Sequence, residues 1–283
     1  MRAALRVNPD VDPQTHRHIT TGKKETKFGV DLERAGAVFE KYGRDEYVKL
    51  IGVHLHLGSE INAVGPYVQA ITKTLDFIET LRGGGFAVEV IDIGGGFGAD
   101  YTFGQAPAAA EYAGAIIPLL RGRNLKLILE PGRTISANAG ILLTRVLYVK
   151  KGGEKTFIVV DAAMNDLIRP VLYDAFHFIW PAAVEDKFVV ENRQESVEVE
   201  GVQLADIVGP ICESADFLAR DRRLPPVRRG DLLAVFSAGA YGFAMSSQYN
   251  SRPRVAEVLV EGDQFKIIRR RETYDDLIAH EIE

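Results

Sequence analysis

The feature that most constrains this chain is a repeated order in its first half. Short apolar runs alternate with amphipathic helical stretches, and each run stops at glycine or polar residues. Residues 5–8, 48–57, 88–93 and 125–129 read as strands. Between them, Asp31 caps a helix with Leu32, Ala35, Phe39 and Tyr42 on one side, ending near Gly43. Residues 67–81 form a second helix, with Val68, Ile71, Leu75 and Ile78 at helical spacing and Gly83 as a stop. Residues 108–120 form a third. Apolar strands separated by helices predict a parallel sheet covered on both faces.

After Arg133 the texture changes. Residues 141–151, 156–162, 197–204, 231–237, 254–260 and 265–270 read as strands with little helix between them, which predicts a mostly antiparallel β domain. The expected division is 1–135 and 136–283. In the first half, the tips VHLHLGS, IDIGGGFG and LILEPGR all put their polar residues after the strand, where a β/α barrel builds its site. Four such strands are half of the eight that a barrel needs.

Composition narrows the function classes. A net charge of -5 argues against a nucleic-acid partner, and the run Arg269, Arg270, Arg271 reads as a solvated strand end. A single cysteine, Cys212, excludes an internal disulfide and fits a reducing cytoplasm. No stretch approaches the ~20 apolar residues of a membrane span. The opening MRAALRVNP reads as a strand running into a turn, not as a signal peptide.

Several motifs carry chemistry, each beside a plainer alternative. Gly94, Gly95, Gly96 and Gly98 leave backbone N–H groups open to a phosphate; the alternative is a tight turn. His54 and His56 lie on one strand face, and a metal pair would need ligands on other strand ends. His54 suits a packed core histidine, and His56 lies nearer the tip. Glu130 ends an apolar run and needs a cationic partner, either Arg133 or a protonated ring nitrogen. Cys212, Tyr173 and Tyr241 would singly pass as packing residues.

Taken in order, the blocks LRVNP, THRHITTGKKETKFGV, GVHLHLGS, DIGGGFG, EPGR, DAAMNDLIRPVLYDAFH, VGPICESAD and GAYGFAMSSQYNSRPR cover residues 5–254. They resemble the fold-type III pyridoxal 5'-phosphate (PLP) decarboxylases, above all the branch acting on diaminopimelate. The resemblance implies a partial (β/α)8 alanine-racemase-like barrel followed by the β domain, PLP as cofactor and no metal. It also implies a cytoplasmic homodimer with shared active sites. Among cofactor contacts, His56 would stack on the ring, Ser59 and Gly94, Gly95 and Gly96 would hold the phosphate, and Glu130 would meet the ring nitrogen. Arg133, Arg169 and Tyr173 would bind substrate carboxylate, and Arg133 and Tyr241 would touch the cofactor as well as the substrate. Cys212, from the partner subunit, would protonate the carbanion, and Glu213 would take the distal ammonium. Ornithine-specific members carry Asp where Glu213 stands, so the implied reaction is meso-2,6-diaminopimelate to L-lysine and CO2. The alternatives are a relative acting on arginine, ornithine or carboxynorspermidine, and a non-catalytic binding subunit.

The resemblance further implies a Schiff-base lysine on an early barrel strand, upstream of all these blocks. No lysine present ends an apolar strand, and Lys23, Lys24 and Lys27 match a family loop. The expectations are that Met1 stands at a false start, that residues 5–8 lie near an open barrel edge, and that this chain alone does not decarboxylate.

Overall fold

The computed structural model describes residues 1–12 and 27–282, so His16, His18, Lys23 and Lys24 lie outside the described residues. The chain divides into two compact units, Met1–Asp100 with Gly104–Ile135, and Tyr101–Phe103 with Ser136–Glu283.

The first unit carries β1 (Arg2–Asn8), β2 (Val30–Asp31), α1 (Leu32–Tyr42), β3 (Lys49–His54), α2 (Gly65–Gly83), β4 (Val90–Asp92), α3 (Ala109–Leu120) and β5 (Lys126–Ile128). Its strands form one parallel sheet in the order β2-β1-β3-β4-β5. The periodicity reading finds every helix here, but β2 escapes it, because two residues carry no period. The strands end earlier than their apolar runs: β3 stops at His54, although Leu55 and Leu57 remain buried. Burial outlasts the ladder because those residues still line the core. That core sets Val53 and Ile91 of the sheet, and Leu55 just beyond β3, with Phe39 of α1 and Ile71, Leu75 and Ile78 of α2.

Asp31 caps α1 as its sequence position implies, its carboxylate accepting from Arg34 N–H at 2.9 Å. Asp31→Ala removes that acceptor, and an unfolding transition in urea should show a loss of about 1 kcal/mol. An unchanged midpoint would mean that another group satisfies the helix end.

The second unit follows the short helix α4 (Arg133–Ser136) and contains β6 (Leu142–Gly152), β7 (Lys155–Val160), α5 (Arg169–Tyr173), β8 (Ile179–Pro181), β9 (Gln203–Val208), β10 (Phe217–Leu224) and β11 (Leu232–Val235). A hairpin of β12 (Glu257–Glu261) and β13 (Gln264–Arg269) and the helix α6 (Tyr274–Ile278) complete it. The six-stranded sheet runs β10-β9-β7-β6-β11-β8, antiparallel except for the parallel pair β7–β9.

Two readings of this half need correction. The strand expected at 197–204 begins only at Gln203. Val197 is buried and Val199 packs against the core, so the alternation there records burial without ladder pairing. β8 and β10 escape notice because one is three residues long and the other, FLARDRRL, interrupts its apolar residues with charge.

Candidate functional site

In the first unit, the sheet's register assembles the strand tips. Arg6 pairs laterally with His54, His54 with Asp92, and Asp92 with Ile128. Residues in one lateral row share a face, and so do residues two apart along a strand, which brings Glu130 in above Ile128. The Nε2 of His54 is buried and lies 3.7 Å from Glu130 Oε2, beyond hydrogen-bond length. One ligating atom from each of His54, Asp92 and Glu130 falls within 4.8 Å of the others. His54 is therefore not a plain core histidine: it stands between two carboxylates with the Arg6 guanidinium nearby. Burial lowers its pKa, opposed by Asp92 and then Glu130.

Three expectations at these tips change. Glu130 is 53% exposed, so the desolvation argument for a buried carboxylate does not hold. Arg133 does not serve as a simple counter-ion to it; its guanidinium lies 3.4 Å from Glu60 and donates to Ser59 Oγ at 3.0 Å. Nor is the glycine run open along its whole length. Gly94 N–H donates to Asp92 Oδ1 at 2.9 Å and Gly95 N–H to His56 Nδ1 at 3.2 Å. Two of the three donors are spent inside the chain, and both residues are buried, whereas Gly96 is partly exposed.

The run must nonetheless be glycine. Gly94 and Gly96 have φ of +67° and +89°. A Cβ on Gly95 would overlap the Glu130 carbonyl oxygen, and one on Gly96 the Gly58 carbonyl oxygen. Further bonds fix the turn: the Tyr67 hydroxyl donates to Gly95 O at 2.9 Å, and Ile61 N–H to Gly96 O at 2.8 Å. Burial raises the Tyr67 phenol, which keeps its proton.

His56 accepts the Gly95 N–H through Nδ1, so the neutral ring carries its proton on Nε2. Burial first, then the Arg6 charge, brings its pKa down to about 4. His56, Ser59, the glycine turn, Glu130 and Arg133 all belong to this unit.

The second unit holds the remaining candidates. Arg169, at the start of α5, is buried, and Tyr173 ends the same helix. The Arg169 guanidinium lies over the Tyr101 ring at 4.7 Å, and its Nη1 meets His177 Nε2 at 3.0 Å. Tyr241 sits in a turn with φ of +58° and is 44% exposed. Cys212 and Glu213 are exposed on the turn between β9 and β10. That turn is clipped from beneath by buried Asp216, whose carboxylate accepts from Ile211 and Met164 N–H, each at 2.7 Å. Burial raises the Asp216 pKa, partly offset by these N–H donors. Glu213 accepts from the Tyr249 hydroxyl at 2.8 Å, and that bond raises the phenol's pKa.

Sequence reasoning missed Arg6, Asp92, Glu60, His177 and Tyr249. Arg6 and Asp92 each occupy a strand end, a signal that was available but that pointed to them only once the pairing register was known. Among the described residues no helix is long and apolar enough to cross a membrane.

Residues 1–137 match the pyridoxal binding domain of the pyridoxal-dependent decarboxylases. Over 98% of its length the chain is 49% identical to diaminopimelate decarboxylase of Aquifex aeolicus, spanning 63% of that protein. It is likewise 49% identical to diaminopimelate decarboxylase of Pseudomonas aeruginosa, spanning 64% of it. The crystal structure of Helicobacter pylori diaminopimelate decarboxylase complexed with L-lysine superposes with a TM-score of 0.89 at 38% identity, over 98% of this chain and 66% of that one. The chain thus spans just under two thirds of these relatives.

Proposed function

We propose that this chain, whose residues 1–137 match the pyridoxal binding domain of the pyridoxal-dependent decarboxylases, forms part of an enzyme that converts meso-2,6-diaminopimelate to L-lysine and CO2 with PLP as cofactor. The observation that carries this reading is the strand-tip group: Glu130 beside His54, next to a glycine turn that tolerates no β-carbon. These residues fit PLP chemically. When bound, the cofactor supplies an electron sink for the pair left by departing CO2.

The chain's own residues do the rest. Glu130 would accept at its carboxylate a hydrogen bond from the protonated ring nitrogen, and its partly exposed position leaves room for it. His56, neutral with a pKa of about 4, offers an uncharged imidazole face to an aromatic ring. Gly96 and Ser59 hold the phosphate, with Gly94 and Gly95 shaping the turn around it. Arg133, Arg169 and Tyr173 bind carboxylate, the two arginines through a bidentate fork. Tyr241 contacts substrate and cofactor. Cys212 holds at Sγ the proton destined for the α-carbon, and Glu213, braced by Tyr249, binds the distal ammonium. Both are exposed, as suits residues that complete the site of a second copy in a cytoplasmic homodimer.

A cofactor-anchoring lysine is a separate matter. Lys49 and Lys126 open β3 and β5, at the strand ends opposite His54 and Asp92. Lys73 donates to the Pro9 and Asp10 carbonyls, and Lys27 and Lys41 lie over Phe28 and Tyr42. Among the described residues, this placement of the first unit's lysines supports the expectation that residues 1–283 alone do not turn over, and it favours a binding subunit as the second reading. Borohydride treatment of the chain with equimolar PLP should leave only scattered substoichiometric labelling of exposed amines; stoichiometric pyridoxylation of one lysine would refute this.

Substrate choice is tested on the protein purified from its native cells, assayed with meso-diaminopimelate, ornithine and arginine. Lysine should form from diaminopimelate, and Glu213→Asp should slow that reaction about tenfold by retracting the acceptor from the ammonium. Faster release of CO2 from ornithine or arginine would transfer the assignment to those relatives.

A further inference from the structure

We infer that His177 is the positioning residue that fixes the Arg169 guanidinium for a substrate carboxylate, an inference resting on the carboxylate role proposed above for Arg169. His177 is completely buried, and both of its ring nitrogens have a neighbour of fixed polarity. Nδ1 lies 2.9 Å from the Phe236 carbonyl oxygen, which can only accept, so Nδ1 carries the proton. Nε2 lies 3.0 Å from Arg169 Nη1, and a guanidinium can only donate, so Nε2 presents its lone pair. The two neighbours together select one neutral tautomer. A second ring proton would point N–H against N–H, beside a permanent positive charge.

The choice of histidine has a chemical consequence. Neutral imidazole orients the guanidinium without bringing a negative charge of its own, so His177 adds nothing that competes with an incoming carboxylate. The Tyr101 ring completes the setting: it lies under the guanidinium at 4.7 Å and meets the His177 ring edge-on, at 5.3 Å and 89°. Through the Phe236 carbonyl, His177 also ties α5 to the turn that runs from Ser237 to Tyr241, whose end residues both have positive φ. Arg169, Tyr173 and Tyr241 are thus referred to one buried ring.

The test uses the full chain and two variants that each mimic one nitrogen. Gln at 177 places its amide oxygen near the Nε2 position and keeps an acceptor for Arg169. Asn at 177 places its amide nitrogen near Nδ1, keeping the bond to Phe236 but losing that acceptor. Nitrogen NMR of the wild-type ring should show a protonated Nδ1 and a bare Nε2. Titration with meso-diaminopimelate should move the Arg169 guanidinium signals in wild type and in His177→Gln at similar concentrations, and require about tenfold more in His177→Asn. A protonated Nε2, or His177→Asn responding like wild type, overturns the inference. Should Asn prevent folding, wild-type-like response of His177→Gln supports it and loss of response in that variant overturns it. A correct tautomer with an Arg169 that ignores the dicarboxylate overturns the carboxylate role of Arg169, so the two failures are distinguishable.

Discussion

Gly96→Ala should cost the first unit roughly 3–5 kcal/mol in urea unfolding, and PLP binding with it. Two effects add. Gly96 sits at φ +89°, and an added β-carbon would overlap the Gly58 carbonyl and crowd the Tyr67 hydroxyl. The backbone cannot retreat cheaply, because Gly96 O holds the Ile61 N–H at 2.8 Å. Gly104 supplies the control, with φ of +71° and nothing within 4 Å of its would-be β-carbon. Gly104→Ala therefore reports the conformational cost alone, about 1 kcal/mol. Equal losses at the two positions would show that the close approach of the two strand-tip loops is not what demands glycine.

The second large effect is acid lability centred on His56. Its pKa falls from 6.5 in a free side chain to about 4 in the fold, chiefly through burial and then through the Arg6 charge. Between those values the unfolded chain binds the extra proton and the folded chain does not, so stability rises with pH across this window. The contribution is complete above pH 6.5 and lost as pH falls towards 4, a difference on the order of 3 kcal/mol. His54 shifts the same way through burial and adds to the slope. Stability measured from pH 7 to pH 4.5, with the His56 ring signals followed by NMR, checks this. His56→Asn keeps an acceptor for Gly95 N–H but cannot titrate, and should flatten much of the slope. A wild-type ring that titrates near 6.5 would remove the effect.

Which parts of this molecule are legible in its sequence depends on the range over which each signal acts. α2 is readable because its buried residues Ile71, Leu75 and Ile78 recur within a few turns. The tips around His56, Gly96 and Glu130 are readable because apolar runs end there in polar residues. The row Arg6–His54–Asp92 is not, since it depends on lateral pairing between strands about 40 residues apart, and local spacing carries no register. The same limit hides Glu60 as the neighbour of Arg133, and it misassigns Glu130 as desolvated, because exposure at a strand tip depends on the loops around it. His177 reads as one more core residue until Phe236 and Arg169 are seen on either side of it.

That lateral row has a consequence for how the chain arrives at its native state. Sliding β3 by a single residue against β1 and β4 would turn His54 to the opposite side of the sheet and bring Val53 into its place. Gly52, whose missing side chain lets Val90 come close, would move out of step at the same moment. A misaligned molecule could still look compact and well buried, yet it could not gather an imidazole and two carboxylates at one spot. The tips thus work as a proofreading mark on strand alignment: only chains that have paired correctly are equipped for chemistry.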